Sequence, residues 1–239
     1  MASTSEVGHN KNVANLATGI QILEEMGTLY NPSNSSILLS NLTPIKTEVH
    51  SVNSVLNSKK PSYQNAVAAR EILIGQLSQK ITKSINYFKS LDVSKADKEN
   101  LAGLSKKIRG VKAPKKVNPD SSENQAISTS QMSFDSRIAN FDSYISQLSS
   151  HPEYDPNEIE IQIPNLQAYH QELVDSSSLV NSTGNALITA RKDRNNILYY
   201  NEKNVIKLIQ DVKSYLKSLG EEGLPYYKAL VKLKFTTIN

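Results

Sequence analysis

The chain has 239 residues, of which 38% are hydrophobic and only 6% aromatic, with no Trp and no Cys. Absence of Cys excludes disulfide scaffolds and thiolate metal sites, and nine Gly with nine Pro are too few for an all-β fold needing a turn every ten residues or so. A formal net charge of +4 permits an anionic partner without demanding one.

Residues 1–9 lack a basic start and an apolar core, so they predict a flexible N-terminus and no secretory signal. No apolar run reaches the ~20 residues of a membrane span. The default expectation is a cytoplasmic protein, with export by a machinery that reads no N-terminal signal still compatible.

A first helix is predicted near Asn10–Met26, where Val13, Leu16, Ile20 and Leu23 recur at spacings of three and four. Gly27 ends it, and Tyr30-Asn31-Pro32 forms a turn. A second helix carries Leu42, Ile45, Val49, Val52 and Leu56. A third begins after Pro61 and ends near Leu91, with Ile74, Leu77, Ile81, Ile85 and Phe88 as its stripe. A short amphipathic tail, Leu101 to Ile108, follows. Residues 112–131 are rich in Pro, Ser, Asn and Lys and predict a flexible linker.

The second half repeats this plan. Tyr30-Asn31-Pro32 returns as Tyr154-Asp155-Pro156, an offset of 154 − 30 = 124, and Asn41-Leu42 returns as Asn165-Leu166. The first helical seam returns as Ile138, Phe141, Ile145 and Leu148. Ala69-Arg70 returns as Ala190-Arg191, at 190 − 69 = 121, and Tyr87-Phe88 as Tyr215-Leu216, at 215 − 87 = 128. The difference of seven residues is two helical turns, so a long helix from about Asn185 to Leu219 is expected, on the order of 50 Å. Pro164 either opens the helix that carries Leu166 or kinks a longer one. A closing tail runs from Leu224 to Phe235, and its spacing leaves an extended end open. The predicted fold is all-α: an elongated antiparallel bundle of two tandem, pseudo-twofold-related units, 10–111 and 132–239.

The residues offer little chemistry. No glycine-rich phosphate loop, His-Glu-x-x-His or Gly-x-Ser-x-Gly elbow occurs. The di-iron pattern of Glu-x-x-His on two helices is also missing. His9, His50, His151 and His170 have no counterparts in the other repeat and read as solvated surface. Glu24-Glu25 and Glu221-Glu222 read as exposed or capping charge. The expectation is therefore no catalytic residue, no metal and no cofactor.

Two candidate binding features stand out. Lys106, Lys107, Arg109, Lys112, Lys115 and Lys116 place six cations in eleven residues, able to meet nucleic acid or an acidic membrane through phosphates, yet without aromatics for base stacking. Tyr199, Tyr200, Tyr226 and Tyr227 are candidate interface residues, since Tyr is amphipathic and enriched at contacts. Their competing reading is that they finish the intrachain core.

The stretch Tyr154-Asp155-Pro156-Asn157-Glu158, then Ala190-Arg191 with Arg194, then Val212-Lys213-Ser214-Tyr215 with Lys217-Ser218, and Lys232-Leu233-Lys234-Phe235, resembles a group of uncharacterised bacterial all-helical proteins. The resemblance covers the last 100 residues or so and implies a helical fold with no assigned activity. The first repeat departs from it at Ser33-Asn34 and Ile108. The functional expectation is a non-enzymatic structural or protein-interaction protein with a protein partner or self-association. The alternatives are the anionic-surface binder and a helical pore-forming or exported effector-like protein.

Overall fold

The computed structural model describes residues 4–110 and 133–237. Among these it is all-α, with seven helices and no strand. They are α1 Thr4–Glu25, α2 Leu39–Ser90, α3 Lys95–Arg109, α4 Phe134–Ser149, α5 Ile163–Asn195, α6 Val205–Ser218 and α7 Leu224–Lys232. The expected linker at 112–131 lies outside the described residues.

Two compact units form, and each is discontinuous in sequence. One comprises residues 1–62 and 184–239, the other residues 63–183. Each joins parts of both halves of the sequence, because the division falls inside α2 and inside α5.

In the first unit, Val13, Leu16, Ile20 and Leu23 of α1 are at most 5% exposed and pack with Leu42 and Val49 of α2, Leu208, Val212 and Leu216 of α6, and Leu230 of α7. In the second unit, Ile74, Leu77, Ile81, Ile85 and Phe88 of α2 pack with Leu101 and Ile108 of α3, Phe141, Ile145 and Leu148 of α4, and Leu166 and Leu173 of α5. Every apolar seam read at three-and-four spacing on α1 and α4 therefore points into a core.

Three helix boundaries differ from expectation. α1 begins at Thr4, several residues before the predicted start. The second and third helices are one helix of 52 residues, with Pro44 and Pro61 inside it. Proline normally ends or bends a helix by removing one donor and crowding the preceding turn, but here Leu42–Leu56 and Ile74–Phe88 each anchor their own half. The long helix expected over 185–219 is interrupted: α5 ends at Asn195, a π-helical segment spans Asn196–Tyr200, and α6 restarts at Val205. A wide turn and a new helix start thus stand where one continuous helix is expected. Asn204 caps α6, its side chain accepting from the Lys207 N–H. Pro164 sits at the second position of α5, so it opens that helix.

The tyrosine turn recurs with the same local geometry in each unit. Tyr30 donates its hydroxyl to the Ile37 carbonyl at 2.6 Å, and Tyr154 to the Ile161 carbonyl at 2.9 Å. Each bond pins a short 3-10 turn, Ser35–Ile37 or Ile159–Ile161, just before a long helix starts. The Tyr30 ring meets Tyr215 edge-on at 5.4 Å and 85°, and Tyr154 meets Tyr87 with the same values. Tyr87 also donates to the Asp155 carbonyl at 2.8 Å.

Tyr154→Phe removes a buried hydroxyl and leaves the Ile161 carbonyl unpaired. It should cost about 1–2 kcal/mol, while Tyr200→Phe, at an exposed position, should stay within about 0.5 kcal/mol. Urea midpoints at unchanged m-value check this. Equal losses for both variants would show that the turn is not held by this bond.

Candidate functional site

The most specific polar arrangement lies in the first unit, on one face of α1. Gly8, Asn12, Asn15 and Gly19 follow one another at spacings of four, three and four, so they share a face. Across this face runs the segment after α7, which leaves the helix at Leu233 in an extended conformation, φ −77° and ψ 99°.

Asn12 is fully buried. Its side-chain amide donates to the Thr236 carbonyl at 2.8 Å, and its Oδ1 accepts the Thr236 N–H at 2.8 Å. One side chain therefore satisfies both polar groups of a single residue, as a neighbouring strand would. Asn15 donates to the Lys234 carbonyl at 2.9 Å. Gly19 leaves room for Leu230 of α7, whereas Gly8 is not required for space. A Cβ at residue 8 would lie 3.4 Å from the Thr236 side chain, and one at residue 19 would come within 3.1 Å of Leu230 Cδ1.

The seam is fixed from below by Tyr199 of the π-helical segment. Its hydroxyl lies 2.7 Å from His9 Nδ1 and accepts from the Asn12 amide at 2.9 Å. Burial raises the Tyr199 pKa, opposed by the bond from Asn12. His9 is 6% exposed, so it is a buried partner of Tyr199 and not the solvated residue expected. Leu233 and Phe235 pack on the first core. The Lys213 ammonium stands 5.8 Å over the Phe235 ring, and its pKa is lowered by burial.

The four candidate interface tyrosines divide. Tyr199, Tyr226 and Tyr227 pack against the first core, so these three complete the interior of their own chain. Tyr200 is 64% exposed.

Of the six candidate anion-binding residues, Lys112, Lys115 and Lys116 lie outside the described residues. Lys106 and Lys107 are exposed in the last turn of α3, where cations suit the helix dipole. Arg109 reaches across to α2 instead, its Nη2 donating to Thr82 Oγ1 at 2.9 Å. Beside it a shallow groove of about 290 Å³ is lined by Ser78, Gln79, Thr82 and Lys83. The Lys83 ammonium is paired with Glu160, whose carboxyl this hydrogen bond holds below the usual range. Of the three that are described, Lys106 and Lys107 are exposed and Arg109 is bonded to Thr82.

No group of three or more His, Cys, Asp or Glu able to hold a metal ion occurs among the described residues. No helix of the described residues is long and apolar enough to cross a membrane. What the α1 seam can do is recognise a peptide backbone. Sequence reasoning passed over Asn12 because its partner lies 224 residues away. The available clue was a Gly-Asn-Asn-Gly line running beside the apolar stripe of Val13, Leu16 and Ile20. Comparison with protein-family models, with curated proteins and with solved structures finds no match.

Proposed function

We propose that the chain is a non-enzymatic protein-interaction protein that makes contact through exposed apolar side chains of its long helices. The observation carrying this reading is the stretch of α2 between Leu56 and Ile74, in which Ala66 is the one buried residue. A helical run of this length contributes little stability by itself, and Pro61 lies within it. Apolar side chains stand in water at both ends of the stretch: Val55 is 46% and Ile72 is 64% exposed. On α5, Leu179 and Ile188 are 52% and 62% exposed. Covering such side chains with a helical surface of a protein partner, a second copy included, removes apolar area at roughly 25 cal/mol per Å².

Light scattering across a concentration series tests the reading with a second copy as partner. The chain should gain mass with concentration, and a variant carrying V55E, I72E, L179E and I188E should remain a monomer throughout. If both stay monomeric, or if both associate equally, these side chains are not the contact.

A further inference from the structure

The segment that lies along α1 has an inner and an outer side. Successive side chains of an extended chain point in opposite directions. Leu233 and Phe235 pack on the first core, while Lys234 and Thr236 are exposed. On α7, Leu230 is buried toward Gly19 of α1, and Lys228, Val231 and Lys232 stand together on the exposed face, at helical spacings of three and four. On α1, Val7 and Lys11 are exposed, and Lys11 lies one turn before Asn15, whose side chain holds the Lys234 carbonyl. We propose that Val7, Lys11, Lys228, Val231, Lys232 and Lys234 form a docking surface for an acidic phospholipid membrane, on which the first unit rests with no helix crossing it.

Charge singles this surface out. After Glu6 no Asp or Glu occurs until Glu24, and after Glu222 none occurs at all, while the two stretches carry Lys11, Lys228, Lys232 and Lys234. The structure lays these two stretches side by side. They run antiparallel, since Leu230 meets Gly19 and Thr236 meets Gly8. Glu24 and Glu25 at the end of α1, and Glu221 and Glu222 just before α7, therefore fall at the opposite end of the pair. The lysines are left facing water without an acidic neighbour from either stretch.

The apolar members decide between a bilayer and a nucleic acid. A phosphate backbone pairs with lysine but offers nothing to Val7, which is 66% exposed, or Val231, which is 44% exposed. A bilayer takes both kinds of side chain. Its acidic headgroups attract the lysines, and aliphatic groups on the same face settle into the boundary between headgroups and acyl chains. The apolar stems of the lysines suit that boundary as well. This surface is separate from the basic run at 106–116 and from the exposed residues of α2 and α5 in the proposed function.

Sedimentation of the full-length protein with vesicles tests this. One set is phosphatidylcholine with about 30% phosphatidylserine, which gives an acidic leaflet, and the other is phosphatidylcholine alone. The protein should pellet with the acidic vesicles, less so at high salt, and stay in solution with the neutral ones. Each lysine near an acidic leaflet strengthens binding roughly fivefold, so K228Q/K232Q/K234Q should bind about 100-fold more weakly. V7S/V231S should bind about tenfold more weakly while keeping the salt dependence. All five positions are exposed, so both variants should keep the helical circular dichroism. K106Q/K107Q, altering the exposed pair on α3, should bind as the unaltered protein does. Absence of pelleting, equal pelleting with neutral vesicles, or a loss confined to K106Q/K107Q overturns the proposal. So does undiminished binding by V7S/V231S, or tighter retention of duplex DNA than of acidic vesicles at equal phosphate, the results expected of a nucleic-acid site.

Discussion

Truncating Phe88 to alanine should cost about 3–5 kcal/mol and should loosen α4 while leaving α1 protected. Phe88 is fully buried and belongs to the core of the second unit. Its ring lies 5.0 Å from His151 edge-on and 6.3 Å from Tyr154. All of these partners come from the second half of the sequence, although Phe88 closes the first. Leu216, which follows Tyr215 as Phe88 follows Tyr87, is equally buried but belongs to the core that holds α1. Leu216→Ala should cost about 2–5 kcal/mol and loosen α1. Amide exchange resolves the two cases: Phe88→Ala should lower protection across Ile138–Leu148, and Leu216→Ala across Leu16–Leu23. If each substitution instead loosened the helix of its own sequence half, the crosswise composition of the units would be wrong.

That composition marks the limit of what periodicity reveals. Spacing of three and four located α1 and α4 and named their buried residues, because a helix face needs only local sequence to be seen. It could not say which distant face would cover each stripe. Pro61 was read as a boundary because its local cost is about 3 kcal/mol, yet the helix runs through it with a packed core on either side. The seven extra residues before α6 were read as two turns of helix. The asparagines at 195, 196, 201 and 204 were the signal against that reading, since Asn competes for backbone bonds and favours caps and turns. Asn204 is such a cap. Asn12 was invisible for a different reason. Its role depends on a backbone 224 residues away, and nothing in the composition of α1 announces that a peptide will lie across it. The basic run was legible as charge, but not that Arg109 would bond to Thr82 of α2.

Stability should fall steeply once the pH passes about 10, the range in which an unfolded tyrosine loses its proton. Burial pushes the Tyr169 hydroxyl up to about 12. Burial raises Tyr30, Tyr144 and Tyr154 further, with the Ser84 hydrogen bond opposing it at Tyr144. Below pH 10 both the folded and the unfolded chain hold these protons, so this contribution to stability is fully present. Above it the unfolded chain sheds them and the folded chain does not, so the unfolded state binds fewer protons and unfolding becomes progressively easier. Each such tyrosine contributes a loss of about 1.4 kcal/mol per pH unit until its folded pKa is reached. Four acting together can consume several kcal/mol between pH 10 and 12, a large part of the ~5–15 kcal/mol that holds a domain folded. The loss is felt in both units, because Tyr30 anchors the turn of one and Tyr154 that of the other. With no Trp in the chain, tyrosinate absorbance can be followed without interference beside the helical circular dichroism. A cooperative rise in tyrosinate should coincide with the loss of helix. If every tyrosine instead titrates smoothly near pH 10 while the helical signal persists, these hydroxyls are open to water and the tyrosine turns do not hold the fold.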